Sequence, residues 1–312
     1  INIPYFYLRR LLRIWPLYFF CLFFGFIVFP LLKSLFGQVP NETANPWLFV
    51  SFLSNINNIK NGLPDASILG VLWSVSIEEQ FYLFWPLFMA LFRKQRPLLF
   101  LTILIGSLFF RYFHYADSSV IYFHTFSVIS DMALGGLLAW LCFEKESFVT
   151  NISYLKKPLI FSIYLLGILL IIFRKDIFAS PMGITFENLT LSTFFGFIIL
   201  EQNYSNHSFF KVGNNKFFTQ WGKYTYGLYC LHFIGILSAT HISQILGTNK
   251  SLFGVLVWET ALALSISMAT AWLSFHLYEI HFLKLKVRFG FVTTVKEKRR
   301  NTMDPMEEEL MV

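Results

Sequence analysis

Long apolar stretches, separated by short polar or basic segments, constrain the fold of this chain more than any other feature. A helix needs about 20 mostly apolar residues to cross a bilayer. Because backbone groups in lipid must be paired within the spanning segment, the expected fold class is all-α, a polytopic transmembrane helical bundle of about eight spans. The expected spans are residues 14–36, 72–92, 97–115, 121–143, 158–173, 184–200, 222–242 and 252–278.

Composition supports a membrane protein and excludes an ordinary soluble one. Charged residues make up 14% of the chain and hydrophobic residues 55%, whereas soluble domains carry roughly 25% charged residues. The net charge of +7 does not indicate nucleic acid, because basic residues of membrane proteins mark cytoplasmic loops. The three cysteines lie in apolar runs without metal-ligand spacing, so neither a metal site nor a disulfide framework is expected.

The chain is expected to form one transmembrane domain over residues 1–290, with 291–312 as a disordered cytoplasmic tail. Residues 47–53 are apolar but too short to span, so they are interpreted as interfacial or re-entrant. The first residue is Ile1, without a signal-peptide pattern, and we expect the domain to be incomplete at its N-terminus.

The distribution of Lys and Arg predicts the orientation. With Arg9 placed inside and the spans alternating, 19 of the 25 basic residues fall on the cytoplasmic side. This predicts a multi-pass protein of the plasma (inner) membrane with both ends of the chain cytoplasmic. It also places Arg9, Arg10 and Arg13 at the inner face and Glu78 toward the outer face, as two separate polar clusters.

The first candidate cluster is formed by Ser74, Glu78 and Tyr82, which share one helical face at i, i+4 and i+8. Carboxylates near the mouth of a span usually face protein, water or substrate. The alternative is that Glu78 and its neighbour Glu79 lie in the headgroup layer.

The second cluster, Arg9, Arg10 and Arg13, precedes the first apolar span. Guanidinium groups bind phosphates bidentately, so these residues are candidates for holding a phosphorylated ligand. The alternative is that they set the topology and contact lipid headgroups.

The third cluster, Thr225, Tyr229 and His232, shares one face of the seventh apolar segment. A histidine or carboxylate inside a span indicates function by default, and an interhelical hydrogen bond is the structural alternative. Asp131 in the fourth span has the same two interpretations.

Four stretches together resemble the acyltransferase-3 family of integral membrane acyltransferases. Arg9–Tyr18 is similar to the family's arginine-rich segment, and Trp73–Tyr82 to its Trp-Ser-Leu-x-x-Glu signature, with Val75 for Leu. Gly222–His232 is similar to a Gly-x-x-Ser-Tyr-x-x-Tyr-Leu-x-His segment, with Thr225 for Ser. Tyr278-Glu279 is similar to the family's last motif without its Pro.

The resemblance implies a ten-span enzyme, of which this chain holds all but the first two spans. In the family a histidine of the first span is regarded as the catalytic base, and no residue here matches it. The candidate catalytic residues are therefore Ser74, Glu78, Tyr82, Tyr229 and His232, and the candidate cofactor-binding residues are Arg9, Arg10 and Arg13.

The implied activity is transfer of an acyl group, with acetyl favoured, from acyl-CoA to a hydroxyl of an extracytoplasmic carbohydrate such as a surface polysaccharide. Acyl-CoA is then a co-substrate, no cofactor is bound permanently, and the partners are acyl-CoA, the carbohydrate and the lipid bilayer. Two alternatives remain. A transporter or flippase of an envelope glycan or lipid is disfavoured because the sequence shows no internal repeat. A non-catalytic membrane partner is the other.

Overall fold

The computed structural model describes residues 3–287, and these are helical throughout the bundle, with no strand among them. This confirms the predicted all-α fold class. The predicted tail, 291–312, and the ends of the chain lie outside the described residues.

The first helix is longer than the sequence predicted. It consists of α1 (Ile3–Phe23), a π-helical turn (Phe24–Val28) and α2 (Phe29–Leu35), which continue one another as a single helix of 33 residues. At 1.5 Å per residue this helix is about 50 Å long, more than a bilayer core. The three arginines therefore lie within the helix, and not before its start as the predicted span 14–36 implied.

Three short helices follow, and the first of them overlaps residues 47–53, the stretch that was interpreted as interfacial or re-entrant. They are α3 (Pro46–Val50), α4 (Ser54–Asn61) and α5 (Ser67–Gly70). Phe49, Ala66 and Leu69 are buried in the hydrophobic core beside α1, so the segment folds back into the bundle. Trp47, however, remains exposed at the start of α3.

The remaining helices alternate along the chain with short connections. They are α6 (Leu72–Leu91), α7 (Arg96–His114), α8 (Ser118–Phe123), α9 (Thr125–Glu144), α10 (Glu146–Ser153), α11 (Lys157–Ile172), α12 (Arg174–Ile177), α13 (Pro181–Tyr204), α14 (Lys216–Trp221), α15 (Thr225–Leu246), α16 (Thr260–Ser274) and α17 (Ile280–Val287). Three 3-10 turns and two further π turns complete them: Val212–Asn214, Gly222–Tyr224, Thr248–Lys250, Gly254–Glu259 and Phe275–Glu279.

Six helices within residues 3–287 are long and apolar enough to cross a membrane, or up to seven if the bent pair α10–α11 counts as one span. The sequence predicted about eight spans, and the two of them that do not pass this test as single helices are α6 and α11. The predicted second span, α6, is 20 residues long, but Glu78, Glu79 and Gln80 in its middle lower its hydropathy. The predicted fifth span, α11, has only 16 residues and meets α10 at 91°.

Helices α1 and α6 pack antiparallel, and three side chains of α1 mark the register. The Tyr7 hydroxyl donates to the Leu83 carbonyl at 2.6 Å, the Trp15 indole donates to Glu79 at 2.9 Å, and the Tyr18 hydroxyl lies 3.4 Å from the Ser76 hydroxyl. Helix α15 packs along α16 and against α1, while α7, α9 and α13 form a second group. The polar half of α6 thus faces the arginines of α1.

Candidate functional site

A cavity of about 810 Å³ lies where α1, α6 and α15 meet. Ligand pockets commonly have about 300–1,000 Å³, so the cavity is large enough for a small organic ligand. Its lining combines positive charge, one carboxylate and three hydroxyl-bearing residues of α15. The lining residues are Phe6, Arg9, Arg10, Arg13, Ile14, Ser74, Val75, Glu78, Thr225, Tyr226 and Tyr229.

The structure corrects the predicted separation of the arginines from Glu78. Arg9, Arg10 and Arg13 line the same cavity as Ser74 and Glu78, whereas the sequence placed them at opposite faces of the membrane. The cause is the antiparallel register of α1 and α6, which brings the first turns of α1 beside the middle of α6. One cavity therefore holds both clusters.

Arg10 is the arginine whose surroundings are best defined. Its guanidinium carbon lies 3.9 Å from the centroid of the Tyr82 ring and 5.8 Å from that of Phe6. A guanidinium over an aromatic face is stabilised by cation–π attraction. Tyr82 is not among the cavity-lining residues, so its ring supports Arg10 from outside the cavity, a different place from the reacting-group position that the sequence suggested.

Glu79, for which the headgroup layer was the alternative interpretation, is not among the cavity-lining residues and joins α6 to α1. One carboxylate oxygen accepts the Trp15 indole proton at 2.9 Å, and the other is buried without a partner among the described residues. A sequence signal was present, because Trp15 lies inside the recognised stretch Arg9–Tyr18 and Glu79 inside Trp73–Tyr82. Their pairing depends on the register of the helices, which the sequence alone did not show.

The hydroxyl groups of Tyr229 and Ser74 are already engaged with protein atoms. Tyr229 donates its single hydroxyl proton to the Val71 carbonyl at 2.9 Å, so in the short hydrogen bond between Tyr229 and Ser74 the serine is the donor. Val71 joins α5 to α6. Tyr229 therefore anchors the start of α6 and positions Ser74 and, one turn on, Glu78.

The other two hydroxyls of the lining are engaged in the same way. Tyr226 donates to the Ile14 carbonyl at 2.9 Å, which joins α15 to α1, and Thr225 donates to the Gly222 carbonyl at 2.9 Å. The cationic donors that face the cavity are thus the arginines. The sequence patterns did not single out Tyr226, which stands inside the recognised stretch Gly222–His232, or Phe6, which lies three residues before Arg9.

His232 is not brought to the cavity. Its Nδ1 lies 2.7 Å from the Tyr229 carbonyl of the same helix, and its ring packs on Phe233 at 4.6 Å. No histidine is among the cavity-lining residues that the structure describes. Asp131 lies elsewhere, on α9, where it accepts from Ser192 at 2.8 Å and joins α9 to α13.

A comparison with known protein families identifies the family of the chain. Residues 1–276, and hence most of the chain, match the family described as acyltransferase domain. The chain belongs to this acyltransferase family. The resemblance drawn from the four motifs is therefore confirmed.

One curated relative matches over a short segment. The peptidoglycan O-acetyltransferase OatA of Listeria monocytogenes serovar 1/2a is 41% identical over 81 residues, which are 24% of this chain and 12% of that enzyme. The similarity thus covers only a small part of the relative's length. No solved structure matches the chain.

Proposed function

We propose that this protein is a membrane-bound O-acyltransferase that moves an acyl group, with acetyl favoured, from acyl-CoA to a hydroxyl of an extracytoplasmic carbohydrate. Family membership supports acyl transfer. The name of the relative OatA, a peptidoglycan O-acetyltransferase, supports an acetyl donor and a cell-envelope glycan as acceptor. The observation that carries the proposal is the single cavity that holds three arginines and Glu78.

The arginines are the donor-binding part of the proposed site. Acyl-CoA carries several phosphates, and guanidinium groups form charge-assisted, bidentate hydrogen bonds with phosphate oxygens. Arg13 follows Arg9 by four residues and Arg10 by three on α1, and all three line the cavity. Tyr82 holds Arg10 from behind through its ring. We assign these three residues to the phosphates of acyl-CoA.

Glu78 is the proposed proton-handling residue. It is the carboxylate of the lining, and acyl transfer to a hydroxyl requires a base near the attacking oxygen. The hydroxyl oxygen bonds to the thioester carbonyl carbon, its proton passes to the base, the carbon–sulfur bond breaks, and CoA leaves as a thiol after regaining a proton. Glu78 accepts that proton directly or orients the histidine that the family is regarded as using.

Stabilisation of the tetrahedral intermediate falls to the arginines as well. Negative charge that develops on the carbonyl oxygen needs preorganised donors, and the hydroxyl protons of Tyr229, Ser74, Thr225 and Tyr226 are given to other protein oxygens. Tyr229 and Ser74 therefore act as positioning residues in this proposal. The guanidinium groups of the cavity supply the positive charge.

The proposal is tested with the purified full protein in lipid nanodiscs. Acetyl-CoA is expected to bind, and a form lacking the 3′-phosphate is expected to bind more weakly, because one phosphate contact is lost. With soluble peptidoglycan fragments, mass spectrometry is expected to detect an O-acetyl ester. If acetyl-CoA does not bind, the proposed function is wrong. If it binds but only water accepts the acetyl group, the carbohydrate part of the proposal is wrong.

The proposed location is the plasma (inner) membrane, with the end of the bundle that carries Arg93 to Arg96 in the cytoplasm. The excess of basic residues at that side supports this orientation. Cysteine-accessibility labelling from outside intact cells is expected to modify a cysteine placed at Asn61 and to leave one at Lys94 unmodified. The reverse pattern would contradict the orientation.

A further inference from the structure

The segment between α2 and α6 carries polar atoms that its own fold leaves unpaired. Asn57 and Asn58 on α4 are 0% and 3% exposed. The Asn57 amide nitrogen and both amide atoms of Asn58 have no hydrogen-bond partner within the described residues. An unpaired buried polar group is costly, and in a native protein it calls for an explanation such as a ligand.

The Asn57 side chain contacts exposed polar residues. The Asn57 carbonyl oxygen accepts from the Asn61 amide at 2.9 Å and from the Asn45 backbone at 2.9 Å. Asn45 and Asn61 are both exposed. The Asn57 side chain, whose nitrogen is unpaired, is therefore bonded directly to surface residues, and Asn58 is its neighbour on α4.

An exposed aromatic residue follows Asn45, whose backbone N–H bonds to Asn57, by two positions. Trp47, at the start of α3, is 79% exposed, and its backbone is capped by the Asn45 side chain at 2.9 Å. A flat aromatic ring beside amide donors and acceptors suits a pyranose, whose C–H face stacks on the ring while its vicinal hydroxyls bond to the amides. Tryptophan combines this large apolar face with a polar edge.

The turn that joins α3 to α4 is strained. Phe52 has a φ of 56°, the one positive value at a non-glycine position in residues 3–287. For a bulky residue this is an outlier, and such strain clusters at ligand clamps. The Phe52 ring stacks on Tyr18 at 4.4 Å and its carbonyl accepts from Gln80 at 2.7 Å. The turn thus connects the α3–α4 hairpin to the helices that build the cavity.

We propose that the α3–α4 hairpin, residues 45–61, is a binding subsite for a saccharide unit of the acceptor. Trp47 supplies the stacking platform, and Asn57 and Asn58 supply hydrogen bonds to sugar hydroxyls. This inference rests on the proposed function and extends it, because the subsite is separate from the reacting group. Ser76 and Gln80, which face α4, lie on the side of α6 away from Ser74 and Glu78.

The separation predicts a preference for polymers. A helix is about 10 Å across with its side chains, so one acceptor that reaches both faces of α6 needs more than one sugar ring. Binding energy from a part of the substrate remote from the reaction raises the efficiency of transfer. A polysaccharide or glycan strand fits this arrangement better than a single sugar.

The experiment measures saccharide binding by calorimetry to the full protein in nanodiscs. The probes are oligomers of two and six units from peptidoglycan glycan strands, from N-acetylglucosamine polymers and from neutral glucans. At least one series is expected to bind, with the longer oligomer tighter. Trp47→Ala and Asn58→Leu are each expected to weaken binding of the longer oligomer at least tenfold. Val39→Ala, at an 84% exposed position of the same loop, is the control and is expected to bind as wild type.

Thermal unfolding separates a binding role from a structural one. Asn58→Leu replaces an unpaired buried amide by an apolar side chain of similar size, so the variant is expected to be as stable as wild type or more stable. Trp47→Phe keeps a ring and is expected to retain most of the binding. Loss of stability in Asn58→Leu without loss of binding would overturn the proposal.

Acetyl-CoA binding is measured on the same preparations. If acetyl-CoA binds and no saccharide series does, or if Trp47→Ala and Asn58→Leu bind saccharide as wild type, the subsite is wrong and the proposed function stands. If the Trp47→Ala variant binds saccharide normally, the role of Trp47 in the wild-type protein is that of a membrane-interface residue. If acetyl-CoA itself fails to bind, the proposed function is wrong.

Discussion

The arginines of the cavity and Arg111 of α7 occupy opposite kinds of environment. Arg111 is 1% exposed. Its guanidinium donates to the Thr185 carbonyl at 3.0 Å, to the Ser127 hydroxyl at 2.8 Å and to the Ile184 carbonyl at 2.5 Å. Arg10 and Arg13 instead line an open volume of about 810 Å³.

Under the proposed function, the same side chain serves structure in one place and ligand binding in the other. Arg111 uses its donors on backbone and side-chain oxygens of α9 and α13, and so holds three helices together. Arg10 instead lies over the ring of Tyr82 and lines the cavity, with no backbone carbonyl of another helix as its acceptor among the described residues. In the sequence, both kinds of arginine border an apolar span.

The largest expected effect is that of Arg111→Ala on stability. Removal of the guanidinium leaves the carbonyls of Ile184 and Thr185 and the Ser127 hydroxyl without their partner in a buried site, at a cost of about 3 kcal/mol or more. Heating followed by fluorescence-detected gel filtration is expected to show a clear loss of folded protein.

Arg111→Lys is the matched variant. Lysine carries a compact charge and lacks the planar guanidinium of arginine. The Arg111→Lys variant is therefore expected to be less stable than wild type as well. Stability equal to wild type in either variant would contradict the structural role of Arg111. The contrast between Arg111 and the cavity arginines would then no longer hold.

The next effect is that of Glu78→Gln on catalysis. Loss of the only carboxylate among the cavity-lining residues is expected to lower the rate of acyl transfer about a hundredfold or more. Acetyl-CoA binding and thermal stability are expected to stay near wild type. Glu144→Gln, an exposed position on α9, is the control. A Glu78→Gln enzyme of normal rate would place the proton transfer elsewhere.

Arg10→Ala and Arg13→Ala are expected to change affinity and not stability. Loss of a charge-assisted phosphate contact costs roughly 1.5–3 kcal/mol, which is about a tenfold or greater loss of acetyl-CoA affinity. Titration calorimetry at two salt concentrations measures it, with the exposed Arg93→Ala as the control. If these variants unfold like Arg111→Ala while binding acetyl-CoA normally, the distinction between the two regions is wrong.

Tyr229→Phe sharpens the comparison within the cavity wall. Without the hydroxyl, the Val71 carbonyl and the Ser74 hydroxyl lose a partner, so a stability loss of about 1 kcal/mol is expected together with a several-fold lower transfer rate. Acetyl-CoA affinity is expected to be unchanged. A rate loss as large as that of Glu78→Gln would show that the hydroxyl acts on the reacting atoms directly.

The smallest expected effect concerns Lys33 and Asp65, an ion pair at the end of the bundle opposite Arg93, with an N–O distance of 2.7 Å. The hydrogen bond from Lys33 lowers the pKa of the Asp65 carboxyl. Its folded-state pKa is therefore below its unfolded value, so the stabilisation is present at neutral pH and is lost as the pH falls through about 4 and below.

Because both side chains are partly exposed, Asp65→Asn is expected to cost at most about 1 kcal/mol at pH 7. The difference between the variant and wild type is expected to disappear at acid pH when thermal unfolding is followed across the range. A difference that grows on acidification would mean that the sign of the pKa shift is wrong.

Local patterns in the sequence were sufficient for the helices and for part of the site. Apolar length alone located helical segments in all eight predicted regions, because a backbone in lipid must pair within its own segment. Helical periodicity placed Ser74 and Glu78 on one face, and both line the cavity. Motif resemblance indicated the family that the comparison then confirmed.

Tertiary structure decided which of these segments meet. The bond between Ser74 and Tyr229 joins residues 155 positions apart, and the register of α1 on α6 decides that Arg10 lies near Glu78 and not at the other membrane face. Arg111 and Arg10 look alike in sequence, because the difference lies in which oxygens other helices bring near. Helix formation depends on neighbours along the chain, whereas the site depends on side-chain packing between helices, and that packing has no local signal.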